Sequence, residues 1–395
     1  MNGKTLAWFL GLLLPVGVAR AQMADVGWRE LPNTKIRSVC PENGFGGSGF
    51  DFAIRCQAVT TAWSGGALDE SRNRLIIWGG GTSDYPGNEL YALNLDTPKM
   101  ERLTDPGLPL PVDCTDDAIP GGTQPRSRHT YDGIAYLKKE DRLFVVGGAD
   151  SCGSLNTAWT FDFKTSKWEV MNPSGPQPLA MPGIATAYDP NTGKVLIHDQ
   201  EALYTYDFKS NSYERILNLH FIDYHMTGAY DFKRKRLILL GGDQEWVIDL
   251  SGDTAVQKSL GSTGGAPVIG TIGPGLAYDP SEDKMVAWIG GNTVYTLDLD
   301  TRVWTSKSYD NGPGAALPNG TYGRWEFVPT MHSFVVVNGV DANAFLIRLS
   351  PPSALGSPGS PARGRYFPWV GSSLARDAIG RRVQGPRVAF PSAKP

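Results

Sequence analysis

Two of the five histidines in this chain stand beside groups that could share proton-transfer work. The segment "PRSRHTYDG" sets His129 next to Arg126 and Arg128, and "FIDYHMTG" sets His225 next to Asp223 and Tyr224. A further arginine, Arg324, lies in "YGRWE". Imidazole titrates near neutral pH and so serves as acid or base, while a guanidinium fork grips a carboxylate through two hydrogen bonds. Such a set suits β-elimination from a uronic polysaccharide. Arg128 or Arg324 would neutralise the sugar acid, His129 or His225 would take the adjacent proton, and Tyr224 would protonate the leaving oxygen. The same groups suit a sugar isomerase of the mutarotase kind, which needs only an acid and a base. Trp63, Asp84, Tyr85, Glu201, Glu245 and Asp341 are candidate ligand contacts, because an aromatic face stacks on a sugar ring and carboxylates bond its hydroxyls.

Plainer readings stand beside these. His129 could hydrogen-bond a neighbouring loop, since buried polar groups usually have structural partners. The Asp-Gln-Glu triplets at residues 199–201 and 243–245 could be turn and loop contacts, as short acidic side chains favour turns. His198 faces either a central channel or a neighbouring repeat, and His220 and His332 carry no assigned role.

Bringing these scattered segments together requires a repeating scaffold. Glycine doublets end apolar runs at Trp78-Gly79-Gly80, Val146-Gly147-Gly148, Leu240-Gly241-Gly242 and Ile289-Gly290-Gly291. Ile197-His198-Asp199 and Val337-Asn338-Gly339 are degenerate copies. After a first interval of 68 residues, which holds an insertion at 106–124, the copies recur every 43 to 51 residues. Each carries a small-residue strand with an acidic turn, a β-branched run, the doublet, and an alternating third strand such as "TVYTLDLD". A fourth strand with Trp168, Tyr213 or Trp304 follows in several copies. Four short strands per repeat predict an all-β propeller of six four-stranded blades, with seven as the alternative. The sixth repeat shows only three strands, and "GWRELPNT" near the N-terminus supplies the fourth, closing the ring and hiding its edges. The loop leading into each first strand and the loop after each second strand then share one face, where ligands of such rings sit.

The doublet, the third-strand aromatic and the fourth-strand tryptophan resemble the kelch-repeat propellers, similar to the central domain of galactose oxidase, in an exported bacterial form. The resemblance spans nearly all of the mature chain and implies the fold; it leaves the chemistry open, because propellers host binding, isomerase, lyase and oxidase activities. A copper-radical oxidase would need a cysteine cross-linked to a tyrosine, and the cysteines here are accounted for otherwise. Gly-x-Ser-x-Gly, His-Glu-x-x-His and calcium-loop motifs are missing, so no metal or cofactor is expected. The triple glycine at 79–81 precedes a strand and lacks the following Lys-Ser/Thr and helix of a phosphate loop.

Lys4, the apolar residues 6–18 and Ala19-Arg20-Ala21 read as a signal peptide over residues 1–21, giving a secreted or periplasmic protein. The propeller is assigned to residues 22–350. Residues 351–395 form a tail rich in Pro, Gly, Ser and Arg, either mobile or strapped across the ring, whose arginines could meet an anionic partner. Four cysteines in an exported chain favour two disulfides; of the three possible connectivities, Cys40–Cys56 with Cys114–Cys152 is the favoured one. A formal charge of -3 offers no general attraction to nucleic acid, and no later run is long and apolar enough for a membrane span. The expected partner is a carbohydrate or other polar ligand. The competing expectation is a non-catalytic module that grips a protein or cell wall.

Overall fold

The computed structural model describes residues 25–81, 84–111 and 117–351. The expected signal peptide, the tail beyond residue 351 and Cys114, with the pairing assigned to it, lie outside them. β1 (Gly27–Leu31) opens the chain, and a long segment with α1 (Phe52–Arg55) and α2 (Ala58–Thr61) leads to the first blade. Blade 1 is β2 (Gly66–Asp69), β3 (Arg74–Ile77), β4 (Tyr91–Asn94) and β5 (Lys99–Arg102). Blade 2 holds β6 (Ile134–Leu137) and β7 (Arg142–Val146), then a small hairpin, β8 (Ala149–Asp150) and β9 (Gly153–Ser154). It ends with β10 (Ala158–Asp162) and β11 (Lys167–Met171). Blade 3 is β12 (Ala185–Tyr188), β13 (Val195–His198), β14 (Ala202–Asp207) and β15 (Ser212–Asn218). Blade 4 is β16 (Thr227–Asp231), β17 (Arg236–Gly241), β18 (Gln244–Asp249) and β19 (Val256–Ser259). After α3 (Ala266–Ile269), blade 5 is β20 (Gly275–Asp279), β21 (Lys284–Trp288), β22 (Thr293–Asp298) and β23 (Val303–Ser308). Blade 6 is β24 (Trp325–Val328), β25 (Ser333–Val336), β26 (Ala344–Arg348) and, as its outer strand, β1.

The chain is therefore a six-bladed β-propeller, each blade an antiparallel four-stranded sheet. Trp28 pairs with Ile347 and Leu31 with Ala344, so the N-terminal strand covers the edge that β26 would otherwise expose. The inner strands β2, β6, β12, β16, β20 and β24 each neighbour the next, and β24 returns to β2. Because strand side chains alternate, each sheet buries one face against the preceding blade and the other against the following one. Ile76 and Trp78 of blade 1 thus pack with Ile134, Tyr136, Leu143 and Trp168 of blade 2. Trp288 of blade 5 stacks against Trp325 of blade 6 at 6.3 Å, and Trp325 on Phe334 at 5.0 Å. Offset ring pairs of this kind add stabilisation beyond the area they bury.

The acidic turn after the inner strand has a physical task. Asp69 accepts the backbone N–H groups of Ser71 and Arg72, and Arg72 pairs with Asp69 and with Asp141 of the next blade. Arg234 repeats this between Asp231, Asp283 and Asp300. The turns on this face, opposite the leading loops, carry Lys138, Lys139, Lys164, Lys209, Lys233 and Lys235. Cys40 and Cys56 are joined in a disulfide that ties the segment holding α1 to the turn beside β5. Among the described residues no helix is long and apolar enough to cross a membrane.

Candidate functional site at the channel mouth

The leading loops end alike. Trp63, Tyr131, Tyr224 and Tyr322 each stand three residues before their inner strands, which begin at Gly66, Ile134, Thr227 and Trp325. Trp63, Tyr131 and Tyr322 take φ of 47°, 48° and 48°, a left-handed backbone costing a bulky residue about 1–2 kcal/mol. Such strain persists only where the surroundings hold it, and it concentrates at ligand clamps and active sites. What holds it here is backbone bonding between loops. Tyr131 N–H donates to Trp63 O at 2.6 Å, Gly273 N–H to His225 O at 2.7 Å, and Tyr322 N–H to Gly273 O at 3.1 Å. Gly273 is required, since a Cβ there would enter the Tyr322 ring.

The four aromatics form a collar centred on Tyr131, whose ring lies 6.5 Å from Trp63, 6.2 Å from Tyr224 and 5.9 Å from Tyr322. Burial and the neighbouring Tyr224 push the Tyr131 phenol up to about 12. Tyr322 is fully buried, and its hydroxyl has no hydrogen-bond partner. Below the collar, buried Asp132 of blade 2 accepts N–H from Gly228 of blade 4 at 2.8 Å and from Gly323 of blade 6. It ties three blades across the channel, and burial holds its carboxyl well above the usual range.

The two histidines of the mouth, His129 and His225, each pair with a carboxylate. His129 Nε2 lies 2.8 Å from Asp84 Oδ2, and its ring sits 5.1 Å from Trp63. Gly81, in the triple glycine, leaves the space His129 occupies, because a Cβ there would meet the imidazole. His225 Nδ1 lies 2.7 Å from Asp223 Oδ1, and its ring packs 3.7 Å from Tyr224. With Nδ1–H given to the carboxylate, Nε2 of His225 is left as the basic nitrogen, the tautomer a general base requires. The mouth thus combines two half-buried imidazoles, phenols and an indole, with Asp84 and Asp223 orienting the bases. Among the described residues, no three of His, Cys, Asp and Glu converge as metal ligands.

Other candidates sit elsewhere. Arg128 is fully buried and donates to Gly147 O at 3.1 Å and to Asp117 Oδ1 at 2.8 Å. Arg324, also fully buried, donates to the carbonyls of Ser64, Gly320, Val337 and Asn338. Their donors are spent on the blades, which removes both from the substrate-gripping role expected of them. Tyr85 is fully buried against Phe52 and donates to Glu89, so it does not face the mouth. Glu245 accepts from the backbone and hydroxyl of Ser262, which makes it a loop tie. Asp341 pairs with Arg37 at 2.8 Å, beside the N-terminal segment. Glu201 is exposed on its loop, and its neighbour Asp199 is buried accepting three backbone N–H groups. Tyr131 and Tyr322 were not among the sequence candidates. Their signal is the aromatic placed three residues ahead of the inner strand, legible only once strand starts are fixed.

A Kelch motif matches residues 140–175, the stretch from the turn before β7 to just past β11 in blade 2. Six four-stranded blades and this motif define the molecule as a propeller with kelch character. No curated protein matches the chain.

Proposed function

We propose that this is an exported propeller that binds a carbohydrate over its channel mouth and carries the groups to move protons on it. The observation that carries the reading is the collar itself. Trp63 and Tyr224, both half-buried, offer ring surface for sugar stacking around the buried Tyr131, beside the Asp84–His129 and Asp223–His225 pairs. Carboxylate-held imidazoles and phenols meet the needs of an isomerase or of acid–base cleavage, with His225 Nε2 as base and a phenol or His129 as acid. With Arg128 and Arg324 occupied, elimination from a uronate lacks its expected acid-neutralising group.

The test is a glycan screen for binding and turnover on wild type, Trp63→Ala and His225→Ala. Loss of turnover in His225→Ala with an unchanged melting temperature supports catalysis. Binding without turnover, weakened by Trp63→Ala, reduces the role to recognition. A second reading, a protein-docking face, is favoured by one observation. Leu179, Phe221 and Ile272 are exposed on the leading loops of blades 3, 4 and 5. If no glycan binds, that reading replaces the first.

A further inference from the structure

The two faces of the ring differ in charge. The last turns of the leading loops (62–65, 124–133, 179–184, 220–226, 270–274, 318–324) surround the mouth, together with the loops after the second strands (78–81, 84–90, 147–157, 199–201, 241–244, 289–292, 337–343). These segments contain no lysine and three arginines, Arg126, Arg128 and Arg324, each at most 3% exposed. Lys35, Arg37 and Arg55 belong to the segment before blade 1, and Arg37 is held by Asp341 of the loop after β25. Carboxylates are plentiful by contrast: Asp84, Glu201 and Asp243 are exposed, and Asp223 is half-buried. Lys138, Lys139, Lys164, Lys209, Lys233 and Lys235 lie on the opposite face, while Lys258 and Lys307 stand near the mouth-side ends of the outer strands β19 and β23.

An anionic mouth lined with aromatic rings has a definite chemical preference. Ring faces carry negative charge density and attract a cation held over them, and nearby carboxylates add to that field. The floor supplies a second, independent feature. The Tyr322 hydroxyl is fully enclosed without a protein partner, within reach of the charges of Asp132 and Asp223, and next to the Tyr131 ring. A buried hydroxyl without a partner is costly, so the floor of the mouth holds an unmet polar group beside the Tyr131 ring.

We infer that the sugar this mouth takes is an amino sugar with a free, cationic amine, held against the half-buried Trp63 and Tyr224 rings between Asp84 and Asp223. This rests on the carbohydrate reading of the same mouth. It opposes a uronate substrate on electrostatic grounds, because the arginines within the mouth segments are buried and Arg37, which reaches the loop after β25, is paired with Asp341. It also separates the amine from its acetylated form, since acetylation removes the charge that the rings and carboxylates recognise.

The test is titration calorimetry of the full chain with a glucosamine oligomer, its N-acetylated counterpart and a neutral gluco-oligosaccharide of equal length. An oligogalacturonate and a lysine oligopeptide complete the set. The glucosamine oligomer is expected to bind about tenfold tighter than the acetylated one, the scale of one well-placed cation–π contact. That margin should shrink with added salt and fall several-fold in Asp84→Asn and Asp223→Asn, checked as folded by their melts. Equal binding of free and acetylated oligomers overturns the amine preference while leaving the carbohydrate reading standing. Tightest binding of the galacturonate, or of the lysine peptide, overturns it as well. Binding of no glycan removes the carbohydrate reading and this inference together.

Discussion

Arg324→Met separates a structural arginine from a substrate-gripping one. The guanidinium is fully enclosed and donates to Ser64 O at 2.8 Å, Val337 O at 2.7 Å and Asn338 O at 2.8 Å, with Gly320 O as a fourth acceptor. It joins the leading loop of blade 1 to two loops of blade 6, at the point where the ring closes. Burial without a carboxylate partner lowers the guanidinium pKa to about 10, so it stays charged at neutral pH. Methionine fills most of the volume but leaves four carbonyls without this donor. At about 1–3 kcal/mol for each buried group left unpaired, even the lower bound gives roughly 4 kcal/mol. For a domain of this size that corresponds to a melting temperature about 6 °C lower. Arg324→Lys should fall between, since an ammonium keeps the charge but has three donors and no planar fork. Differential scanning calorimetry reads both. If Arg324→Met melts within about 2 °C of wild type and only ligand affinity drops, the arginine serves the site and the argument from its bonds is wrong.

Other expectations follow from buried groups and the cross-link. Burial holds Glu89, clasped by Tyr85 and Tyr91, above the usual carboxylate range. The stability it gives is therefore complete below about pH 4.3 and declines as pH rises through its folded value, and Glu89→Gln should remove that slope in urea melts taken across pH. His198 is buried with both ring nitrogens unbonded, which lowers it to about 4. It therefore withdraws up to roughly 3 kcal/mol as pH falls from about 6.5, a loss that His198→Leu should abolish in acid denaturation. Cys40→Ser with Cys56→Ser should cost about 3 kcal/mol, read by the same melts, because the bridge closes a loop with a separation of 16 residues. Asp132→Ala should lower the melting temperature more than Asp84→Ala, since Asp132 joins three blades while Asp84 is exposed.

The blades were legible because the pattern is local. A glycine doublet after a β-branched run marks the end of the second strand wherever it occurs, even where His198-Asp199 or Asn338-Gly339 replaces it. The closing strand was legible because "GWREL" alternates and the sixth repeat lacked a partner. Burial at the mouth was a different matter. Nothing local distinguishes Arg128, buried against Gly147 O, from His129 one residue on, which reaches Asp84. Strand alternation sends adjacent side chains opposite ways, so the sequence places a loop correctly without saying which residue faces the channel. Tyr85 was misjudged for a related reason. Its turn is polar, but the N-terminal segment with Phe50 and Phe52 folds over it, a contact between distant parts of the chain.

Glycan-array binding by wild type against a Trp63→Ala, Tyr224→Ala double variant, matched for melting temperature, tests the mouth most directly. The account predicts that wild type retains a defined set of glycans, with amine-bearing sugars foremost, and that the folded double variant retains none of them. Undiminished binding by the double variant, or no glycan bound by wild type, would contradict it.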